Sequence, residues 1–206
     1  MASKFTAVLA TAALTCLVLA TSALAAGVGQ QRVVAKPATA PTAHTAPTSP
    51  LVASPASCPG QADPSAPAEA QEEAMLCMAN FARAAAGLAA LGEVEELDRS
   101  ALGKADDVLR CDSFSHFACG REFTYWLLEA GYIGESCWHA GENLAWGTGE
   151  FGSVRSIFRA WMSSPTHRKN ILGDYAHVGI ALARGNLEGH PGAQVWAAHF
   201  GSHCEA

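Results

Sequence analysis

The chain has 206 residues, with 13 basic against 19 acidic side chains and a net charge of −6 at neutral pH. That balance excludes the basic face of a nucleic-acid binder and offers no polybasic attraction to anionic lipid headgroups. Half the residues are hydrophobic but only 8% are aromatic, so the apolar residues have to be read by position.

Lys4, the nearly unbroken apolar run from Phe5 to Leu19 and the small-x-small triplet Ala23-Leu24-Ala25 read as a secretory signal peptide over 1–25. Thr11, Thr15, Thr21 and Ser22 dilute the run, whereas a retained anchor needs about 20 apolar residues. Leu14-Thr15-Cys16 lacks the small residue that precedes a lipidated cysteine. No later run is long and apolar enough to span a bilayer, so the mature chain is expected to carry no transmembrane segment. Cleavage removes Lys4, leaving 12 basic residues against 19 acidic.

Residues 26–57 are mostly Ala, Pro, Thr, Ser and Val, with scattered prolines that forbid a helix. Without Phe, Tyr or Trp the segment cannot bury enough surface to offset its ordering entropy, so it reads as a disordered linker. The folded domain is expected over 58–206. Of seven cysteines, Cys16 leaves with the leader. The remaining Cys58, Cys77, Cys111, Cys119, Cys137 and Cys204 make an even set in an exported chain, hence three disulfides. No spacing is CxxC-like, which argues against a structural zinc site. The spacing does not select a pairing; Cys58–Cys77, Cys119–Cys137 and Cys111–Cys204 are the expected set.

Glu69–Ala90 is rich in helix formers, with Met75, Met78, Ala79, Ala82 and Ala86 at spacings of three and four; Gly87 weakens or ends it. Asp98 is an N-cap candidate for a second helix, with Ala101, Leu102, Ala105, Val108 and Leu109 on one stripe. Arg121–Ala130 reads as a short third helix stopped at Gly131. Over Ser153–Ser163, Val154, Ile157, Phe158, Trp161 and Met162 fall on one apolar face that ends before Pro165. The period then changes. Val178, Ile180 and Leu182 alternate with small residues, and Gln194–Phe200 places Trp196, Ala198 and Phe200 on one side. These are two strands of a hairpin, and the order of elements predicts an α+β fold with a small antiparallel sheet.

Three stretches set titratable groups in apolar surroundings: Phe114-Ser115-His116-Phe117, Ala140-Gly141-Glu142-Asn143-Leu144-Ala145-Trp146, and Ser164-Pro165-Thr166-His167-Arg168-Lys169-Asn170-Ile171-Leu172. Together with the preceding Trp161-Met162-Ser163 and the strand Val178-Gly179-Ile180-Ala181, their order resembles the CAP superfamily. This is the SCP-domain group of cysteine-rich secretory, antigen 5 and pathogenesis-related proteins; the likeness is to its bacterial exported branch and covers Met75 to Phe200. The resemblance implies a three-layer α-β-α sandwich with a cleft where two histidines and two acids converge. His116, Glu142 and His167 match three of the four. The fourth place holds Ser164, followed by Pro165, and the nearest acids in sequence are Glu150 and Asp174.

Two imidazoles and a carboxylate are donors that zinc or another divalent cation accepts with open positions, so His116, His167 and Glu142 are the candidate metal ligands and the only catalytic candidates. There is no Gly-x-Ser-x-Gly elbow, no unpaired mature cysteine and no His-Glu-x-x-His. The resemblance therefore implies a secreted, non-enzymatic extracellular module that contacts lipid or a cell-envelope component, and the acidic balance argues against a nucleic-acid partner. The alternative is a metal-dependent, peptidase-like hydrolase using His116, Glu142 and His167. Trp126, Trp138, Trp146, Trp161 and Trp196 are read as core or cleft wall, and Asn143 and Asn170 as braces of loop backbone. His139, His177, His199 and His203 show no metal-like spacing. His199 and His203 are expected to be exposed, and His177 to be placed where it can approach the cleft.

Overall fold

A computed structural model of the chain describes residues 51–135 and 137–204; the leader with Cys16, its cleavage triplet and the linker to residue 50 lie outside the described residues. Helix α1 spans Ala68–Ala85 and buries Met75, Met78, Ala79 and Ala82, the stripe that its spacing marks. It stops before Ala90 because Gly87 adopts φ +74°. The Gly87 N–H then donates to the Ala84 carbonyl at 3.0 Å and the Leu88 N–H to that of Arg83 at 2.9 Å, which closes the helix in a Schellman motif. Strand β1, Gly92–Glu93, leads into helix α2, Glu95–Arg110. Asp98 does not cap α2; it lies in the first turn, and its Oδ1 accepts the Ile180 N–H at 3.1 Å. Helix α3 is the short Thr124–Glu129.

Strand β2, Trp138–Thr148, has no counterpart in the sequence reading. Helix α4, Val154–Ser163, is capped by Ser153, whose hydroxyl accepts the Ser156 N–H, and it buries the expected five residues. The chain turns at Ser164 and Pro165 opens a further helix, α5, Pro165–Ile171, with proline at the first helical position where its missing N–H costs nothing. Strands β3, His177–Leu187, and β4, His190–His203, form the predicted hairpin.

The sheet order is β1-β3-β4-β2, antiparallel except for the two-residue parallel contact of β1 with β3. Helices cover both faces, which gives the three-layer sandwich. On one face Val178, Ile180, Trp196, Ala198 and Phe200 pack with residues of α1, α4 and α5. On the other, Ala181, Ala183, Val195 and Ala197 meet Ala101, Ala105 and Val108 of α2. Small side chains on this second face let α2 lie close to the strands. A Cβ at Gly179 would stand 2.0 Å from the Leu97 carbonyl carbon.

Three expectations need correction. The packed part begins before Cys58: Val52 and Ala53 are buried in the core, and Arg155 Nη1 donates to the Ala53 carbonyl at 3.1 Å. Cys58 does pair with Cys77, but the other bridges are Cys111–Cys119 and Cys137–Cys204. The reason is topological, because Cys137 directly precedes β2 and Cys204 directly follows β4, where Trp138 and His203 are register partners. Leu102, assigned to the buried stripe of α2, is 46% exposed.

Candidate functional site

Antiparallel register sets Glu142 of β2 directly opposite His199 of β4. Both side chains point to the α2 face, where Ser100 and Lys104 lie one helical turn apart. The Glu142 carboxylate is buried and reached from several directions. His116 Nδ1 stands 2.5 Å from Oε1, His199 Nε2 stands 2.8 Å from Oε2, and Lys104 Nζ stands 3.9 Å from Oε2. Behind His199, its Nδ1 meets the Ser100 hydroxyl at 2.7 Å. An ionised carboxylate only accepts hydrogen bonds, so each facing imidazole nitrogen carries its proton. His199 with Nε2–H toward Glu142 and Nδ1 accepting from Ser100 leaves no polar atom of this line unpaired.

His116 arrives on the loop closed by the Cys111–Cys119 bridge and leaves 57% of its side chain in solvent. Phe114 and Phe117 beside it are also exposed. His167 sits on α5, which two asparagines fasten to β2. Asn143 Nδ2 donates to the His167 carbonyl at 3.0 Å, and Asn170 Nδ2 to the Glu142 carbonyl at 3.0 Å and to Asn143 Oδ1 at 2.8 Å. The asparagines therefore brace a strand edge rather than a loop.

The protonation pattern follows from these contacts. Burial alone would raise Glu142, but the hydrogen bonds from His116 and His199, with the Lys104 charge, hold it at about 2. The bond to Glu142 raises His116. Burial first, and then the neighbouring charge of His116, lowers His167, so the two imidazoles feel one another across the site. Burial lowers Lys104 against the pull of Glu142 and Asp107.

The structure thus brings His116 and Glu142 into contact, with His167 nearby. Among the described residues it brings no second acid to them. Ser164 is the N-cap position of α5, the Glu150 carbonyl accepts the Ser153 hydroxyl at 2.7 Å, and the Asp174 carbonyl lies 2.5 Å from His139 Nε2. His177 bonds Tyr132 through Nδ1 at 3.0 Å instead of joining the site. His203 is exposed as expected, whereas His199 is 0% exposed; its register opposite Glu142 draws it inside. Trp161 and Trp196 lie in the core, donating to the carbonyls of Leu144 and Gly152, and Trp126 donates to Asp107 at 2.7 Å.

The sequence reading missed Ser100, Lys104 and His199. The α2 stripe Leu97, Ser100, Ala101, Lys104, Ala105, Val108 has helical spacing, so the first two were within reach of a periodicity count that ignored polarity. As for a metal, both Glu142 oxygens are already engaged by imidazoles. Among the described residues no three His, Cys, Asp or Glu side chains form a group that could hold an ion. The donors do not fit the three-ligand site expected from His116, His167 and Glu142.

Comparison with known proteins agrees with this architecture. An uncharacterised protein of Bacillus subtilis (strain 168), YkwD, is 30% identical over 132 residues, 64% of this chain and 47% of that protein; the chain spans about half the length of this curated relative. Among solved structures, an extracellular protein with an SCP domain from Bacillus anthracis str. Ames matches with a TM-score of 0.51 and 21% identity, covering 65% of this chain and 40% of the other. An outer surface protein from Borrelia burgdorferi matches with a TM-score of 0.52 and 18% identity, covering 63% and 90%. At these identities the two structures speak for the fold alone. The family model of CAP, the cysteine-rich secretory protein family, matches residues 76–200, and the chain belongs to that family.

Proposed function

We propose that this chain is an exported, non-enzymatic binding module that presents the His116 imidazole, flanked by Phe114 and Phe117, to a component of the cell envelope. The observation that carries the reading is the full engagement of Glu142. A carboxylate held by two imidazoles and a buried ammonium, and ionised down to about 2, is no proton donor at neutral pH. General acid–base work calls for a pKa near the working pH, so Glu142 itself is not the acid or base. The Ser100 hydroxyl is the nearest nucleophile type in the line, and it is fully buried behind His199. Among the described residues no Ser, Thr or Cys side chain hydrogen-bonds the ring of His116 or of His167. What remains at the surface is a partly exposed imidazole held by Glu142, in a loop whose Phe114 and Phe117 are also exposed.

Export is supported by the leader pattern, by three disulfides of the kind that persist in oxidising compartments, and by the extracellular and outer-surface descriptions of the two structural relatives. Among the described residues no helix is long and apolar enough to cross a membrane.

The test is co-sedimentation of the mature chain with isolated cell envelope and, separately, with phospholipid vesicles, alongside a panel of peptide and ester substrates. The expected result is binding that His116→Ala weakens by about tenfold, roughly 1.4 kcal/mol, with Phe117→Ala acting in the same direction and no turnover above buffer. Turnover that disappears in His116→Ala would overturn the reading and restore the hydrolase alternative.

A further inference from the structure

Lys104 sits in the middle of the buried face of α2 and is 0% exposed. Removing an ammonium from water costs several kcal/mol unless its partners are well placed, so its presence there calls for a reason beyond packing. Its Nζ has two partners. It donates to the His116 carbonyl at 2.7 Å and lies 3.9 Å from Glu142 Oε2. One partner belongs to the loop that carries the exposed imidazole and the other to the strand that carries the carboxylate. The loop's other ties do not reach the carboxylate: the Phe114 N–H donates to Glu188 Oε1 at 3.3 Å, Asp112 Oδ1 accepts the Glu188 N–H, Ala118 is buried in the cluster on the α2 face, and the Cys111–Cys119 bridge closes the loop without joining it to β2.

We infer that Lys104 is the positioning residue of the site: its ammonium docks the His116 backbone onto the Glu142 carboxylate, so that the imidazole reaches Oε1 with Nδ1 and turns Nε2 outward. This rests on the reading of His116 as the presented group. The competing account makes Lys104 only a counter-charge for Glu142. The charged or titratable groups around the pair are Lys104 and Asp107 of α2, Glu142 of β2, His199 of β4 and His167 of α5. Of these, only Lys104 touches both the loop and the carboxylate.

The two accounts separate in the mature chain with its disulfides intact, by NMR of the His116 Nδ1 proton, which a 2.5 Å contact with Glu142 moves far downfield. The wild type shows this resonance. Lys104→Met, which can donate to nothing, loses it, and Lys104→Gln, which keeps an N–H donor without the charge, restores it. Persistence in Lys104→Met, or loss from both variants, overturns the inference. Should Lys104→Met fail to fold, a through-hydrogen-bond coupling from Lys104 Nζ to the His116 carbonyl carbon in the unaltered chain decides: its presence supports docking and its absence overturns it. The resonance is read without ligand, so a chain that binds no envelope component can still show it, and a chain that binds can lack it.

Discussion

Replacing Glu142 by Gln removes the charge on which the buried cluster converges. In the folded chain the carboxyl titrates at about 2 instead of its ordinary 4.5. At 1.36 kcal/mol per unit, the difference makes ionised Glu142 worth about 3 kcal/mol of stability. The figure agrees with the ~3–5 kcal/mol typical of breaking a buried ion pair on one side. Because the folded value is the lower one, the contribution is complete above pH 4.5 and drains away as pH falls toward 2. Urea unfolding of wild type and Glu142→Gln, with disulfides intact, reads it as a gap between the two proteins. At pH 7 the variant is less stable by about 3 kcal/mol, and the gap closes between pH 5 and 2. Taking the difference cancels the titration of other carboxylates. A gap of the same size at pH 7 and pH 2 would refute the reasoning, because Glu142 would then contribute by shape and not by charge.

Asp98 titrates in the opposite sense. Burial, with Glu93, Glu72 and Glu95 adding to it against the Ile180 hydrogen bond, raises it from 3.8 to about 6, so its ionised form costs stability above pH 6 and the cost fades as pH falls toward 3.8. Asp98→Asn keeps a carbonyl oxygen for the Ile180 N–H and should stabilise by about 1 kcal/mol at pH 7 after discounting for screening at this half-buried position, with no gain near pH 3.5; a loss at pH 7 would count against the argument. Gly179→Ala forces a Cβ onto the Leu97 backbone and should cost at least the ~1–3 kcal/mol of overpacking in chemical unfolding, since backbone cannot swing aside as a side chain would. Replacing the Cys111–Cys119 pair by Ser, which opens a bridge of sequence separation 8, should cost about 2.5 kcal/mol. The same change at Cys137–Cys204, separation 67, should cost about 4 kcal/mol on loop-closure entropy, and an inverted order of melting temperatures would show that the native loop, rather than the unfolded chain, sets the effect.

What could be read in the sequence depended on whether each element faces a single environment. Helix α4 carries one apolar face and a capping serine, and its limits and its buried residues were legible in its periodicity. The β3–β4 hairpin was legible for the same reason. Strand β2 was not. Its residues Ala140-Gly141-Glu142-Asn143 are small or polar on both sides, so no alternation survives. The bridges Cys111–Cys119 and Cys137–Cys204 depend on where β2 and β4 end relative to each other, and a missing strand takes that information with it. His116, Glu142 and His167 were found through their motifs. His199 was not, because only the β2–β4 register reveals that it faces Glu142.

Lys104 shows why the rest was hidden. Scored by hydrophobicity, the stripe of α2 shifts toward Leu102 and leaves the lysine on the solvent side; in the folded chain Leu102 is exposed and Lys104 is enclosed. The inversion is consistent with the face on which α2 lies. Gly179, Ala181, Ala183 and Ala197 offer it little side-chain bulk, so the helix backbone approaches the strands closely enough for the Ser100 hydroxyl to reach His199 and the Lys104 ammonium to reach Glu142. Larger apolar residues on those strands would bury more area, at about 25 cal/mol per Å², but would lift α2 away and break both contacts. The opposite face of the sheet, under α1, α4 and α5, carries Trp196 and Phe200 and supplies that burial instead. Apolar packing and the buried polar cluster are therefore divided between the two faces of one sheet. The face that contributes less to stability is the one that fixes the carboxylate beneath His116.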